Sequence, residues 1–310
     1  MTKKSRYLGY MFATLAATFN GMVGIFSVKI MDYGLHPITV VFYKCLIGTS
    51  VITTWLIISR KIGKWIEYLK DNYAKIGICA FCGFFMACYF ETLSYNHLKV
   101  PVAVFLLLGS SLITTFVLSS LLNKQKIKNY QILSCIIALL GLWLIFETCV
   151  IHINQASLLG ILPAILAGIG YGTFLSLSSK FELGSGLIVL NSLLLFGALY
   201  LFTPFLCLSF QMLPSMQSFL LLLALTLLPT IGGLWCTMRA LVLLKSETVQ
   251  LVELSEPLFA LIFAYLILQQ QLTYLQLAGG MCIIISIYIN SFGWKISILN
   301  TSIKTPTISA

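Results

Sequence analysis

Charge is what this sequence has least of. Nine acidic and 19 basic residues make up 9% of its 310 positions and 59% of the chain is hydrophobic, whereas soluble globular domains carry about 25% charged residues. That balance excludes a water-soluble enzyme. Histidine is scarcer still: His36, His97 and His152 are the three present, all at the outer ends of apolar runs, so imidazole catalysis or metal binding at membrane depth has no residue to work with. No G-x-x-x-x-G-K-[ST] loop is present to cradle a nucleotide phosphate, which argues against ATP drive. There are also no Gly/Ser, Pro-rich or acidic runs to mark a linker or a disordered arm. Cysteine is more plentiful, with nine, yet all nine lie within or at the ends of apolar runs and behave as small hydrophobes. Cys79 and Cys82 form a C-x-x-C, but no second pair or neighbouring histidine completes a metal set. No cofactor and no metal are expected.

What the sequence has in quantity is long apolar runs. They fall at about 8 to 29, 37 to 59, 74 to 96, 100 to 122, 129 to 150, 157 to 180, 185 to 208, 217 to 244, 248 to 268 and 272 to 292, each close to the roughly 20 residues that cross a bilayer as a helix. All are too long for membrane strands and lack strict alternation, so the fold class is all-α, a polytopic integral membrane protein with ten transmembrane helices. Lys3, Lys4 and Arg6 imitate the start of a signal peptide, but the apolar run behind them continues past Gly21 and reads as an uncleaved first span.

Basic residues set the orientation. With a cytoplasmic N-terminus, fifteen of the 19 lie on the inner side and two, Lys29 and Lys99, on the outer side, a strong positive-inside bias. Both termini are then cytoplasmic. The net charge of +10 is accounted for by contact with anionic membrane lipid, and no nucleic-acid partner is expected.

The chain also repeats itself. With an offset of 151, Gly9, Ala13, Leu15, Ala16, Gly21, Ser27 and Lys29 fall on Gly160, Ala164, Leu166, Ala167, Gly172, Ser178 and Lys180. With an offset of 146, Leu98 and Lys99 fall on Leu244 and Lys245. Five spans written twice give two five-helix repeats, at 1–150 and 151–292, followed by a short cytoplasmic tail at 293–310. Five is odd, so the second copy enters from the opposite side, the inverted repeat of many secondary transporters.

In its ninth span the sequence reads Leu254, Ser255, Glu256, Pro257, Leu258, Phe259, Ala260, and Gln276, Gly279 and Gly280 open the tenth. With His36 and Pro37 before the second span and Tyr171 and Gly172 in the sixth, this resembles the drug/metabolite transporter superfamily, in particular its EamA-type ten-span members. The resemblance implies small-molecule transport, with amino acids, nucleotides, their derivatives or drugs as cargo. The chain departs from the family's usual pattern at Lys44, at Ser110 and Ser111, at Asn123 and at Gln269.

Ionisable residues inside spans cost roughly 2.5 to 3.5 kcal/mol each at a helix centre, and such residues face partners or a water-filled cavity. Depth suggests the partners. Arg239 and Glu253 each lie seven residues from the turn near residue 246, about 10 Å deep, and Glu256 is one turn from Glu253 on one face. Lys44 and Glu91 match in depth on consecutive antiparallel spans and are expected to form an intramembrane ion pair. Pro257 lacks the N–H that would bond to the Glu253 carbonyl, so a helix kink is expected there. The substrate-binding candidates are Asn20, Tyr89, Tyr171, Trp235, Arg239, Glu253 and Glu256, with Tyr95, Ser110 and Thr114 as further polar lining.

A secondary transporter moving a small polar metabolite by alternating access fits these features. The expected location is the inner membrane, as a monomer or homodimer, with a proton as a candidate coupling ion. An enzyme would need a nucleophile with its base at depth, and Ser185 between Gly184 and Gly186 has no histidine in any span to activate it. A non-transporting receptor or scaffold protein, the alternative reading, would need longer exposed loops or tails.

Overall fold

Each apolar run folds as a helix, because only hydrogen bonding within the segment leaves no backbone N–H or C=O facing hydrocarbon. The computed structural model describes residues 3–124, 127–150, 158–208, 215–268 and 273–303. Lys126, His152, Gln269, the stretch 151–157 in which the second repeat is expected to begin, and the end of the expected tail from residue 304 lie outside the described residues.

The first span is Lys3–Asn20 and Val23–Met31, broken at Gly21 and Met22. The second is Pro37–Ile58; the third combines Ile62–Ala80, a π-helical stretch Phe81–Tyr89, and Phe90–Ser94; the fourth is Val100–Asn123 and the fifth Asn129–Val150. The sixth is Leu158–Lys180 and the seventh Leu187–Leu208. The eighth combines Met216–Leu225, a π-helical Thr226–Gly233, and Leu234–Leu243; the ninth is Ser246–Glu253 and Glu256–Leu268, and the tenth Tyr274–Ile303. Among the described residues nine helices are long and apolar enough to cross a membrane, and the broken ninth makes the tenth crossing. No strand occurs among them.

Local chemistry sets the helix ends. His36 accepts a hydrogen bond from the Ile38 N–H at 3.3 Å on Nδ1, and Pro37 occupies the first turn, where its missing N–H costs nothing. Ser215 and Ser218 form a capping box at the eighth span, and Thr273 with Gln276 does the same at the tenth. The connection expected at about residues 60 to 73 is itself mostly helix. The chain turns within Ser59, Arg60 and Lys61, with Arg60 left-handed at φ 54°, and the third span then runs 33 residues. Its first turns are amphipathic: Trp65 donates to Ser192 Oγ at 3.0 Å and Tyr68 to the Leu183 carbonyl at 2.7 Å, while Lys64, Glu67 and Lys70 stay exposed. The tenth helix likewise continues past residue 292, since no proline interrupts it before Pro306.

The repeats pack reciprocally. The first span lies along the eighth and touches the ninth, while the sixth lies along the third and the fourth; the second pairs with the seventh and the fifth with the tenth. The sequence repeat has its physical origin here. A Cβ added at Gly9 would come within 2.7 Å of Leu244 Cγ, and one at Gly160 within 2.7 Å of Leu98 Cγ. Both pairs of matched residues are thus one contact made twice, the leading helix of each repeat pressed against the other repeat. Where the fifth and tenth spans cross, Gly141 and Gly279 are reciprocal too: a Cβ on either would meet the other's carbonyl oxygen, at 2.8 and 2.6 Å.

Backbone cannot move aside as a side chain does, so Gly279→Val is expected to destabilise the fold by about 3 kcal/mol, the upper end for overpacking. Gly63→Ala, where an added Cβ meets nothing within 4 Å, should be neutral or stabilising by up to about 1 kcal/mol. Thermal denaturation of the two purified variants checks the contrast, and equal melting behaviour would contradict the crossing.

Candidate functional site

The interruptions in the spans converge on one place. A cavity of about 90 Å³ lies between the repeats, with Asn20 and Val23 from the break in the first span, Lys44 from the second, and Gly83, Phe84, Ala87, Cys88 and Glu91 from the third. The fourth span adds Leu107 and Leu108, the sixth Tyr171 and Phe174, the eighth Pro229, Thr230 and Leu234, and the ninth Glu256. Three charged residues therefore face one small space walled by aromatic and aliphatic side chains.

Why the backbone is irregular here can be read residue by residue. Pro229 has no N–H to offer the Leu225 carbonyl four residues back. The Thr230 hydroxyl takes its place, donating to that carbonyl at 2.9 Å, and the helix widens to π geometry over Thr226–Gly233. The third span widens over Phe81–Tyr89 without a proline; there Gly83 sits against the Phe174 ring, 2.9 Å from a Cβ placed on it. In the ninth span the break at Leu254 and Ser255 is held by short bonds, Ser255 N–H to the Val252 carbonyl at 3.0 Å and Leu258 N–H to the Ser255 carbonyl at 3.0 Å. Pro257 follows in the first turn of the second segment, so the expected kink is a full interruption.

That interruption separates the two acids. Glu253 ends the first segment, 1% exposed, and accepts from the Thr237 hydroxyl at 2.6 Å on Oε1 and the Tyr171 hydroxyl at 2.7 Å on Oε2. Glu256 opens the second segment and faces the cavity. The expectation that Arg239 sits beside both acids is corrected. Arg239 is exposed and stacks on the Trp235 ring, 5.4 Å from its centroid. Depth matched but direction did not: Thr237 and Arg239 are two residues apart, about 200° around a helix, and the side facing Glu253 belongs to Thr237. Trp235 packs edge-on to Phe12 at 5.6 Å, outside the cavity lining.

Lys44 and Glu91 do line the cavity together and interact electrostatically, yet the expected direct ion pair is absent among the described residues. Lys44, only 4% exposed, reaches the Cys88 side chain, one helical turn from Glu91. Glu91 accepts from the Tyr95 hydroxyl at 2.8 Å. Tyr89 packs with Phe85 and Phe90 rather than lining the cavity, and Ser110 spends its hydroxyl on the Leu106 and Ile165 carbonyls. Of the sequence candidates, Asn20, Lys44, Glu91, Tyr171 and Glu256 meet at the cavity. Cys88, Thr230 and Thr237 were missed. Pro229 in mid-span was the signal for Thr230; nothing in the pattern marked the other two.

The Glu253 carboxyl and its two hydroxyl donors act as a unit. Tyr171→Phe and Thr237→Val should each destabilise by about 1 to 2 kcal/mol, and the double variant by more than the sum, because a buried acid is then left with no donor. Melting curves of the four proteins in one detergent give the coupling, and simple additivity would count against the unit.

The model described as the EamA-like transporter family matches the chain twice, over residues 7–147 and 158–292. No curated protein matches. Among solved structures, a crystal structure described only as that of a protein superposes with a TM-score of 0.75 at 11% identity, covering 98% of this chain and 100% of the other, a likeness of fold.

Proposed function

The chain belongs to the EamA-like transporter family, and from that membership we propose that it is a secondary transporter of a small polar metabolite, such as an amino acid or related compound, working by alternating access with no enzymatic activity. One observation carries the reading: Lys44, Glu91 and Glu256, from three different spans, face a single cavity at the junction of the repeats. Charges at depth are expensive unless they face partners or water, and a base opposite two acids suits a ligand bearing both a carboxylate and an ammonium group. Asn20 and Thr230 add neutral hydrogen-bonding groups. Two further observations support movement. The cavity, at about 90 Å³, is smaller than the 300 Å³ or more of most ligand sites, so admission of cargo requires the walls to separate. The walls hold the interrupted helices, which have the fewest regular backbone bonds to break.

In this reading Lys44 holds the anionic group, Glu256 the cationic group, and Glu91, steadied by Tyr95, shapes the field between them. Glu256 also serves as the proton acceptor when the site is empty. Tyr171 joins the cavity to Glu253, which fixes the interrupted ninth span. Arg239 and Trp235 take no part in holding cargo. The protein sits in the inner membrane as a monomer or homodimer, with both termini cytoplasmic.

Reconstituted into proteoliposomes with a cargo found by metabolite screening, Glu256→Gln and Lys44→Met should each lower uptake by about a hundredfold, the scale of losing one charge-assisted contact of about 3 kcal/mol. Arg239→Gln should stay within about threefold of wild type. Equal losses for all three would remove the cavity from the mechanism.

Orientation has its own test. Cysteines introduced at Lys64 and Lys70 should be labelled only after the membrane is permeabilised, and labelling in intact cells would reverse the topology.

A further inference from the structure

A second cleft, about 280 Å³, lies at the basic end of the bundle between the start of the first span, the start of the fifth, the turn into the ninth and the middle of the tenth. It is larger and more polar than the central cavity, and the transport reading makes no use of it. We propose that it binds the phosphate of an anionic phospholipid headgroup.

The chemistry is convergent. Arg6 and Lys245 reach it from different spans, with Tyr10, Tyr130, Thr248 and Asn290 between them. The polar groups are held in place: Tyr10 and Ser291 share a 2.6 Å hydrogen bond, and Asn290 donates to Thr248 Oγ1 at 3.2 Å. Lys128 adds positive charge at the rim, 6.0 Å from the Tyr130 ring centroid. One acid borders the cleft: Glu247 attracts Lys245 and interacts with Ser119, and Arg6, Lys128 and Lys245 together outnumber it. Two helices also begin here, the fifth at Asn129 and the first segment of the ninth at Ser246, so their dipoles add to the attraction for an anion.

A lipid suits the surroundings better than free phosphate. Tyr10 and Ser291 tie the first span to the tenth, and beyond them the exposed Met11 and Leu15 of the first and Ile284 of the tenth lie toward the bilayer centre. An acyl chain can lie along that surface while its phosphate occupies the cleft, at the depth where headgroup phosphates reside.

The full-length protein, purified in a neutral detergent, would be offered phosphatidylglycerol, phosphatidylcholine or inorganic phosphate, and retained ligand counted by native mass spectrometry. Wild type should retain phosphatidylglycerol over phosphatidylcholine, and Arg6→Gln with Lys245→Gln should weaken that retention by about thirtyfold, the effect of two basic residues near an anionic surface. The pair Lys64→Gln with Lys70→Gln should leave it unchanged, and Lys245→Arg should preserve it. If the double variant does not fold, wild type alone decides: phosphatidylglycerol should raise its melting temperature above that in phosphatidylcholine, and high salt should abolish the difference. Retention of inorganic phosphate with no lipid preference would keep the anion site but overturn its assignment to lipid. Equal retention of both lipids with no phosphate bound would overturn the proposal.

Discussion

Hydrocarbon offers no water, and the whole arrangement answers to that fact. A backbone group or a charge at depth must find its partner inside the protein or in an internal space. Four of the ten spans contain breaks or π-helical stretches, the first, third, eighth and ninth, and all four border the central cavity. The second, fourth, fifth, sixth, seventh and tenth run as unbroken helices across their described residues, even where Pro163 and Pro204 lie inside the sixth and seventh. Irregular backbone is thus concentrated where Lys44, Glu91 and Glu256 also gather, and the fifth, seventh and tenth spans, which do not line the cavity, carry none of it.

Much of this was legible in the sequence for a simple reason. Length and hydropathy report crossing, and a bilayer of fixed thickness turns position along a span into depth. Depth matched Lys44 with Glu91, and the two do share one cavity, although the direct ion pair it suggested is not formed among the described residues. Depth could not give direction around the helix axis, and the error over Arg239 lies there. A depth argument sees Thr237 and Arg239 as equivalent, yet one faces Glu253 and the other faces away with Trp235. The offsets of 151 and 146 were visible as repeats, but their meaning was not: Gly9 against Leu244 and Gly160 against Leu98 are contacts between repeats, which a comparison of the sequence with itself cannot distinguish from contacts within them.

The π-helical stretches show a second limit. They occupy corresponding places in the third and eighth spans, Phe81–Tyr89 and Thr226–Gly233, and the offset between them falls within two residues of that between Leu98 and Leu244. Only the second has a cause inside its own sequence, Pro229 and the Thr230 hydroxyl that replaces its missing bond. The first has no proline or comparable residue, although Phe174 packs on Gly83 and Phe84 on Gly197 there. A local reading of Phe81–Tyr89 therefore has no residue to point to, while Leu225–Thr230 announces itself.

The two acids of the ninth span divide a problem that neither could solve alone. An acid whose carboxyl oxygens both accept from hydroxyls of the protein, as Glu253 does from Thr237 and Tyr171, is satisfied without any ligand, which suits it to anchoring a broken helix. For the same reason it has little left to offer a ligand. Glu256 has no side-chain donor among the described residues and opens onto the cavity; its needs must be met by cargo, by water or by a proton. On the proposed function that difference is what couples cargo to conformation. The empty site leaves that carboxyl without a cargo partner and favours whichever arrangement hydrates or protonates it, while the loaded site does not. The break at Leu254 and Ser255 is what permits the division, because on an unbroken helix residues three apart would share one face and one environment.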